Sequence, residues 1–268
     1  SLKGKAADFE FTSNEKSFLS SFVPIKDEYG IVIRVMGITQ DITERKKSNE
    51  LIENSLKEKT TLLAEIHHRV KNNLAIVSGL LELQKGEVND KRLSLYFDQS
   101  INRIISIAMV HELMYQTHDL SSVNANAYLE MLIPAISATM QYHNKNVRFD
   151  IDIAEYKLNI NEAIPLGLLL NELITNSFKY AFNDEYDNLI GITLTVAEEE
   201  RVLVKYWDNG VGFKDGIDFN TPKNLGLTLV HAQLQQLDAA HSTSTTGGFY
   251  LEFSFSANKG RGSHSNIA

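Results

Sequence analysis

The sequence predicts an α+β chain of several domains: a short β-rich opening, a long helical hairpin, and a closing α/β sandwich of helices packed on a sheet. Three observations predict this. Apolar residues recur near a seven-residue spacing across 44–85, and beyond His118 helical and strand-like periods alternate. The chain's 268 residues, 43% of them hydrophobic, also exceed the roughly 100 to 150 typical of one domain.

Residues 9–43 contain two β-rich runs, DFEFTSNEKSFLSSFVPI and YGIVIRVMGITQDIT, on either side of the turn signal DEYG. Two or three strands alone are marginal in water, so these residues are expected to finish a larger unit. From 44 to 85 there is no proline and only Gly79, while Ile42, Ile52, Leu56, Leu63, Ile66, Val70, Val77 and Leu80 keep the seven-residue spacing. That pattern predicts one long helix that associates. GEVND turns the chain, and KRLSLYFDQSINRIISIAMVHELMYQ forms the second arm of an antiparallel hairpin. Two hairpins would make a four-helix homodimer, with Asn49, Lys59 and Asn73 weakening or regulating its seam. A helix is expected over 124–140, strands at VRFDIDI and KLNI, and a helix over 161–182. Strands at LIGITLTVAEE and RVLVKYW, a helix at LGLTLVHAQLQQLDA and a last strand at GGFYLEFSF complete the sandwich. The polar end KGRGSHSNIA is expected to be disordered.

Composition removes several functional classes. A net charge of −8 and a pI near 5.5 argue against a general nucleic-acid binder. The absence of cysteine excludes disulfides, thiolate metal sites and cysteine nucleophiles. The apolar stretches, such as LGLLLNELI, stop well short of the roughly 18 to 20 residues that cross a bilayer, and no signal-peptide pattern opens the chain. A soluble, cytoplasmic chain is expected.

Two regions carry chemistry. On a helical wheel of LLAEIHHRVKNNL, Ile66, Val70 and Val77 cluster within about 40° and His68 lies roughly 200° from Ile66, with Asn72 and Glu65 on its side. His67 points to the flank of the apolar stripe. An exposed imidazole of ordinary pKa, near 6.5, is largely neutral at pH 7 and offers a lone pair to phosphorus. Arg69 and Lys71 would disfavour its protonated form and attract phosphate oxygens. In IPLGLLLNELITNSFKYAF, Glu172, Asn176 and Lys179 share one polar face, followed by Tyr180. An amide oxygen such as that of Asn176 can ligate Mg²⁺, and Lys179 can neutralise phosphate. VLVKYWDNGVGF sets Asp208, Gly210 and Gly212 directly after a strand, a pattern shared with ordinary hairpin turns. KNLGLTLV puts Gly226 at a helix start, where unpaired N–H groups bind phosphate, and 213–223 reads as a short lid. A phosphate loop of the G-x-x-x-x-G-K-S type and a dinucleotide fingerprint are absent. His111, His118, His143, His231 and His241 read as surface, capping or packing residues without metal-site spacing, and Trp207 as a strand packing residue.

These motifs resemble a known family. GITQDITERK is similar to the exit of a PAS sensor domain. His68, Arg69, Lys71 and Asn72 match the H-R-x-K-N acceptor helix of a sensor histidine kinase subfamily related to the HWE kinases. The asparagine box, the Asp208 segment, the Gly226 segment and the closing Gly247–Gly248 strand follow the motif order of the GHKL ATPases, which include gyrase and the histidine kinases. The resemblance implies a PAS fragment over 1–43, a dimerisation and phosphotransfer hairpin over 44–120, an ATP-binding domain over 121–257 and a tail over 258–268. It implies that His68 accepts the phosphoryl group and later passes it to an aspartate of a response regulator. ATP would lie among Glu172, Asn176, Lys179, Tyr180, Asp208, Gly210, Gly212, Lys223, Leu225, Gly226 and Leu227, with Asn176 on Mg²⁺ and Asp208 on the adenine amino group. In the larger group of histidine kinases an acidic residue follows the acceptor. Arg69 stands there instead, and Glu65 is the base that helix geometry offers. Two other readings stand beside the kinase. One is an ATP-driven conformational machine, favoured by Glu172 four residues before Asn176, and the other is a non-catalytic dimeric scaffold.

Overall fold

The computed structural model describes residues 5–117, 121–140, 146–182, 187–197, 201–213, 218–222 and 224–257. The chain divides into two compact units, Ser1–Leu63 and Ala64–Ala268.

The first unit holds an antiparallel sheet of β1 (Ala7–Ser13), β2 (Lys16–Lys26) and β3 (Val32–Asp41), in that order. The first expected β-run is thus two strands. Asn14 and Glu15 both take positive φ, 51° and 62°, the twist that a two-residue hairpin needs. At the DEYG signal, Asp27 accepts hydrogen bonds from the amides of Tyr29 and Ile31, and Gly30 sits at φ 80°. Phe9, Val23, Ile33 and Ile38 remain exposed on this sheet.

Helix α1 (Thr43–Glu87) begins in the first unit and continues into the second, where it pairs with α2 (Lys91–Thr117). Three contacts fix the antiparallel register: His67 with His111, Lys71 with Glu112, and Lys85 with Asp98. Ile66, Val77 and Leu80 of the expected seam are exposed within the single chain, and Val70 is half-buried.

The rest of the second unit is a sandwich. Its sheet runs β5-β7-β8-β10-β9, formed by β5 (Val147–Ile153), β7 (Asn188–Ala197), β8 (Arg201–Asp208), β10 (Tyr250–Ser256) and β9 (Ala240–Ser244). Only the β5–β7 pairing is parallel. Alternate residues of β8 and β10, including Val204, Tyr206, Leu251 and Phe253, are buried in one core with α3 (Ala125–Thr139), α4 (Ile160–Asn176) and α5 (Leu225–Gln236). Val110, Leu113 and Met114 of α2 join the same core, and Tyr128 donates a hydrogen bond to the carbonyl of Ser106. Helix α2 and the sandwich therefore share one core. Gly167 permits this closeness, because a Cβ there would lie 1.7 Å from the Tyr128 hydroxyl.

Three features depart from the expected elements. The expected KLNI strand is β6 (Lys157–Asn159), but its partner β4 (Ser122–Asn124) and the polar edge strand β9 are additional. The helix expected over 161–182 instead leaves α-pitch after Asn176 and ends in a π turn, Ser177–Ala181. No helix among the described residues is long and apolar enough to cross a membrane, and none of their His, Asp and Glu side chains gather into a group that could hold a metal. The tail lies outside the described residues.

Candidate active site

Adjacent histidines on α1 have opposite environments. His68 is exposed, whereas His67 is 6% exposed and its Nδ1 lies 2.8 Å from Nδ1 of His111, itself 8% exposed. Helix α2 thus covers His67 more fully than the wheel indicated, and His111 is a buried hydrogen-bonding partner. Burial, with His67 alongside, pulls the His111 pKa below its ordinary value. The folded chain then holds His111 neutral while the unfolded chain protonates it near 6.5. Stability is therefore expected to fall as pH drops through about 6.5 toward the lower folded pKa. Thermal melts from pH 7.5 to 5.5 check this, with a shallower decline expected for His111→Gln. A variant melting curve as steep as the parent's would reject the assignment.

Around His68 the side chains are polar. The Asn72 amide lies 3.4 Å from His68 Nδ1, and the Tyr115 ring of α2 is 5.9 Å from the imidazole. Arg69 pairs with Glu65 at 2.7 Å one turn back. Lys71 pairs with Glu112 of α2, which also accepts from Gln116. The Lys71 hydrogen bond chiefly, then Gln116 and the neighbouring charge of His68, hold the Glu112 carboxyl below its usual range against a smaller effect of burial. Both cations of the acceptor motif are thus already matched by acids. Glu112 is a second carboxylate near His68, alongside Glu65.

The other region is a cavity of about 490 Å³. Its lining includes Glu172, Asn176 and Tyr180 from the end of α4, Asp208 and Gly212 after β8, and Leu225, Gly226 and Leu227 at the start of α5. Asp208 is 4% exposed and firmly held. Its Oδ1 accepts from the amides of Gly210 (3.0 Å) and Phe249 (3.2 Å), and its Oδ2 from the Ser177 hydroxyl (2.5 Å). Ser177 also meets the Tyr206 hydroxyl at 2.7 Å, and burial followed by the Asp208 charge raises the Tyr206 pKa well above its ordinary value. The glycines serve close approach: a Cβ on Gly210 would lie 2.5 Å from the Ala181 carbonyl oxygen, and Gly212 needs φ 70°. Asn224 caps α5 by accepting from the Leu227 amide at 2.9 Å. A Cβ on Gly226 would lie 3.1 Å from Glu172 Oε2 and 3.8 Å from Asn176 Oδ1, so two of the motifs meet here.

Two predicted nucleotide residues, Lys179 and Gly210, lie outside the lining. Lys179 is half-buried: burial lowers its pKa, Glu172 and Asp98 raise it, and Arg103 lowers it. Lys223 and part of the expected 213–223 lid lie outside the described residues, as do His118 and His143. His231 packs on Phe219 with Nε2 2.7 Å from its carbonyl oxygen, and Trp207 covers Gly191. Motif reading missed one wall of the cavity, which Tyr96, Gln99 and Arg103 of α2 supply. Arg103 Nε donates to Glu172 Oε1 at 2.6 Å. The spacing of these three residues along one face of α2 was the available signal.

Comparison with known proteins relates these helices to a family: residues 65–140 match the family model HisKA_2, described as histidine kinase. That segment is similar to the histidine kinases. Sensor histidine kinase PdtaS of Mycolicibacterium smegmatis is 27% identical over 215 residues, 78% of this chain and 42% of the relative. Blue-light-activated histidine kinase 2 of Erythrobacter litoralis is 27% identical over 194 residues, 69% of this chain and 54% of the relative. The chain thus spans about half of these curated relatives or less. Among solved structures, the histidine kinase domain of the Erythrobacter litoralis blue-light-activated kinase shares the fold, with a TM-score of 0.54, 22% identity, and coverage of 74% of this chain and 95% of that one. The matched segment includes both the His68 face and the α2 residues that reach the cavity.

Proposed function

We propose that this chain is the catalytic core of a sensor histidine kinase, which transfers the terminal phosphoryl group of ATP to His68 and then to an aspartate on a response regulator. The observation that carries the reading is the convergence of Asn176, Asp208 and the start of α5 on one cavity, in a chain whose 65–140 segment is similar to the histidine kinases.

The residues fit Mg²⁺-ATP. A carboxylate has about four lone-pair sites. Three donors already engage Asp208, leaving Oδ2 able to accept from the adenine amino group. At the other end, the Leu225 and Gly226 amides at the α5 N-terminus suit phosphate, and Asn176 Oδ1 suits Mg²⁺, which when bound neutralises phosphate charge. Asn72 orients the acceptor. The oxygen and nitrogen of an amide exchange by a half-turn, so Asn72 can accept from Nδ1–H of His68 and leave the Nε2 lone pair facing outward. The nitrogen–phosphorus bond forms as the bond to the ADP oxygen breaks, promoted by positioning and charge neutralisation. Glu65 and Glu112 are the carboxylates nearest the acceptor, and each would have to leave its ion pair with Arg69 or Lys71 before taking the remaining imidazole proton. A second copy is the proposed cover for Ile66, Val77 and Leu80, giving a homodimer in the cytoplasm.

Incubating the whole chain with γ-labelled ATP and Mg²⁺ tests the reading. Acid-labile, base-stable label on the protein is expected. Free phosphate without labelled protein would favour the conformational ATPase, and failure to bind a fluorescent ATP analogue would favour the scaffold.

A further inference from the structure

We infer that Arg103 is a positioning residue that keeps Glu172 from activating water, and so directs the terminal phosphoryl group to histidine. This rests on the kinase reading above.

Glu172 lies one helical turn before Asn176, on the same face and 4% exposed. It sits at the end of the cavity away from Asp208: Asp208 is held by Ser177, five residues later and about 7.5 Å further along the helix axis. The closeness of Glu172 Oε2 to Gly226 places the carboxylate beside the α5 start, where phosphates would bind. A free carboxylate there is equipped to hydrolyse ATP. It would take a proton from water as the water oxygen bonds to the terminal phosphorus and the bond to the ADP oxygen breaks. Hydrolysis of that kind would waste the phosphoryl group in a kinase.

Arg103 opposes this directly. Its Nε donates to Glu172 Oε1 at 2.6 Å, and the two side chains are only 20% and 5% exposed, so solvent screens the pair weakly. The paired carboxylate has one oxygen already engaged, and the pair fixes its orientation toward α2. The cation comes from α2, in the hairpin, and the acid from α4, in the sandwich. The element that carries the partners of the acceptor face therefore also restrains the acid beside the phosphates.

The test measures free phosphate against acid-labile phosphoprotein in the whole chain, with nucleotide affinity followed by a fluorescent ATP analogue. Arg103→Gln is expected to raise that ratio about tenfold or more, within the roughly 10²- to 10⁴-fold range of a positioned base. Arg103→Lys should keep the ratio within about threefold of the parent, since a cation still faces the acid. Adding Glu172→Gln to Arg103→Gln should abolish the gain. The inference is overturned if Arg103→Gln leaves the ratio unchanged, if the rise survives Glu172→Gln, or if Arg103→Gln stops binding nucleotide. A parent protein that forms no phosphohistidine would instead sink the kinase reading itself.

Discussion

His68→Ala is expected to reduce acid-labile phosphoprotein below about 1% of the parent, because among the described residues His68 is the exposed imidazole of that face and the Lys71 amine is held in an ion pair with Glu112. The affinity for a fluorescent ATP analogue should stay within about twofold, since His68 is absent from the cavity lining. The neighbouring substitution should behave differently. His67 is buried against His111, so His67→Ala removes one partner of a buried hydrogen bond. The cost is about 1 to 3 kcal/mol, roughly 2 to 10 °C in melting temperature for a body of this size, with labelling retained below the melt. Label that persists in His68→Ala, or disappears only in His67→Ala, would reverse the assignment.

Asp208→Asn is expected to weaken ATP binding by about 2 to 3 kcal/mol, roughly 30- to 150-fold. The amide oxygen would keep the Gly210 and Phe249 hydrogen bonds on the Oδ1 side. The amide nitrogen would then occupy the Oδ2 position, where the Ser177 hydroxyl can turn to accept it. Folding would survive, but a donor would face the adenine amino group, itself a donor. Calorimetric titration of parent and variant checks this. Binding of inorganic tripolyphosphate should be unchanged, because its contacts lie at the α5 end. Equal ATP affinity in the two proteins would remove Asp208 from the adenine site.

Much of this arrangement was legible in the sequence, for physical reasons that vary by element. The long helix announced itself through spacing and the lack of proline, and the three segments that line the cavity through residue types that few other structures require together. What stayed hidden depended on distant partners or on weak local chemistry. The Asn14–Glu15 turn lacks the glycine that usually marks it, and every residue of β4 and β9 is too short-range or too polar to show a period. The burial of His67 depended on which face α2 covers, which a wheel of α1 alone does not contain. Arg103 and Glu172 are 69 positions apart, so nothing local pairs them. The π turn also lacks a signal of its own. It sets Ser177 against Asp208 immediately after Asn176 enters the cavity, so consecutive residues serve both ends of the site.

Helix α2 reaches α4 through Arg103 and α1 through His111. Eight residues separate them, about 12 Å along the axis and about 80° around it. That phase is a length constraint on the gene as much as a contact in the protein. Adding or deleting one codon between the two positions would turn one side chain about 100° relative to the other, so that either the histidine pair or the ion pair would be lost. A substitution at an exposed position of that stretch leaves this phase intact, whereas a one-residue change in its length does not.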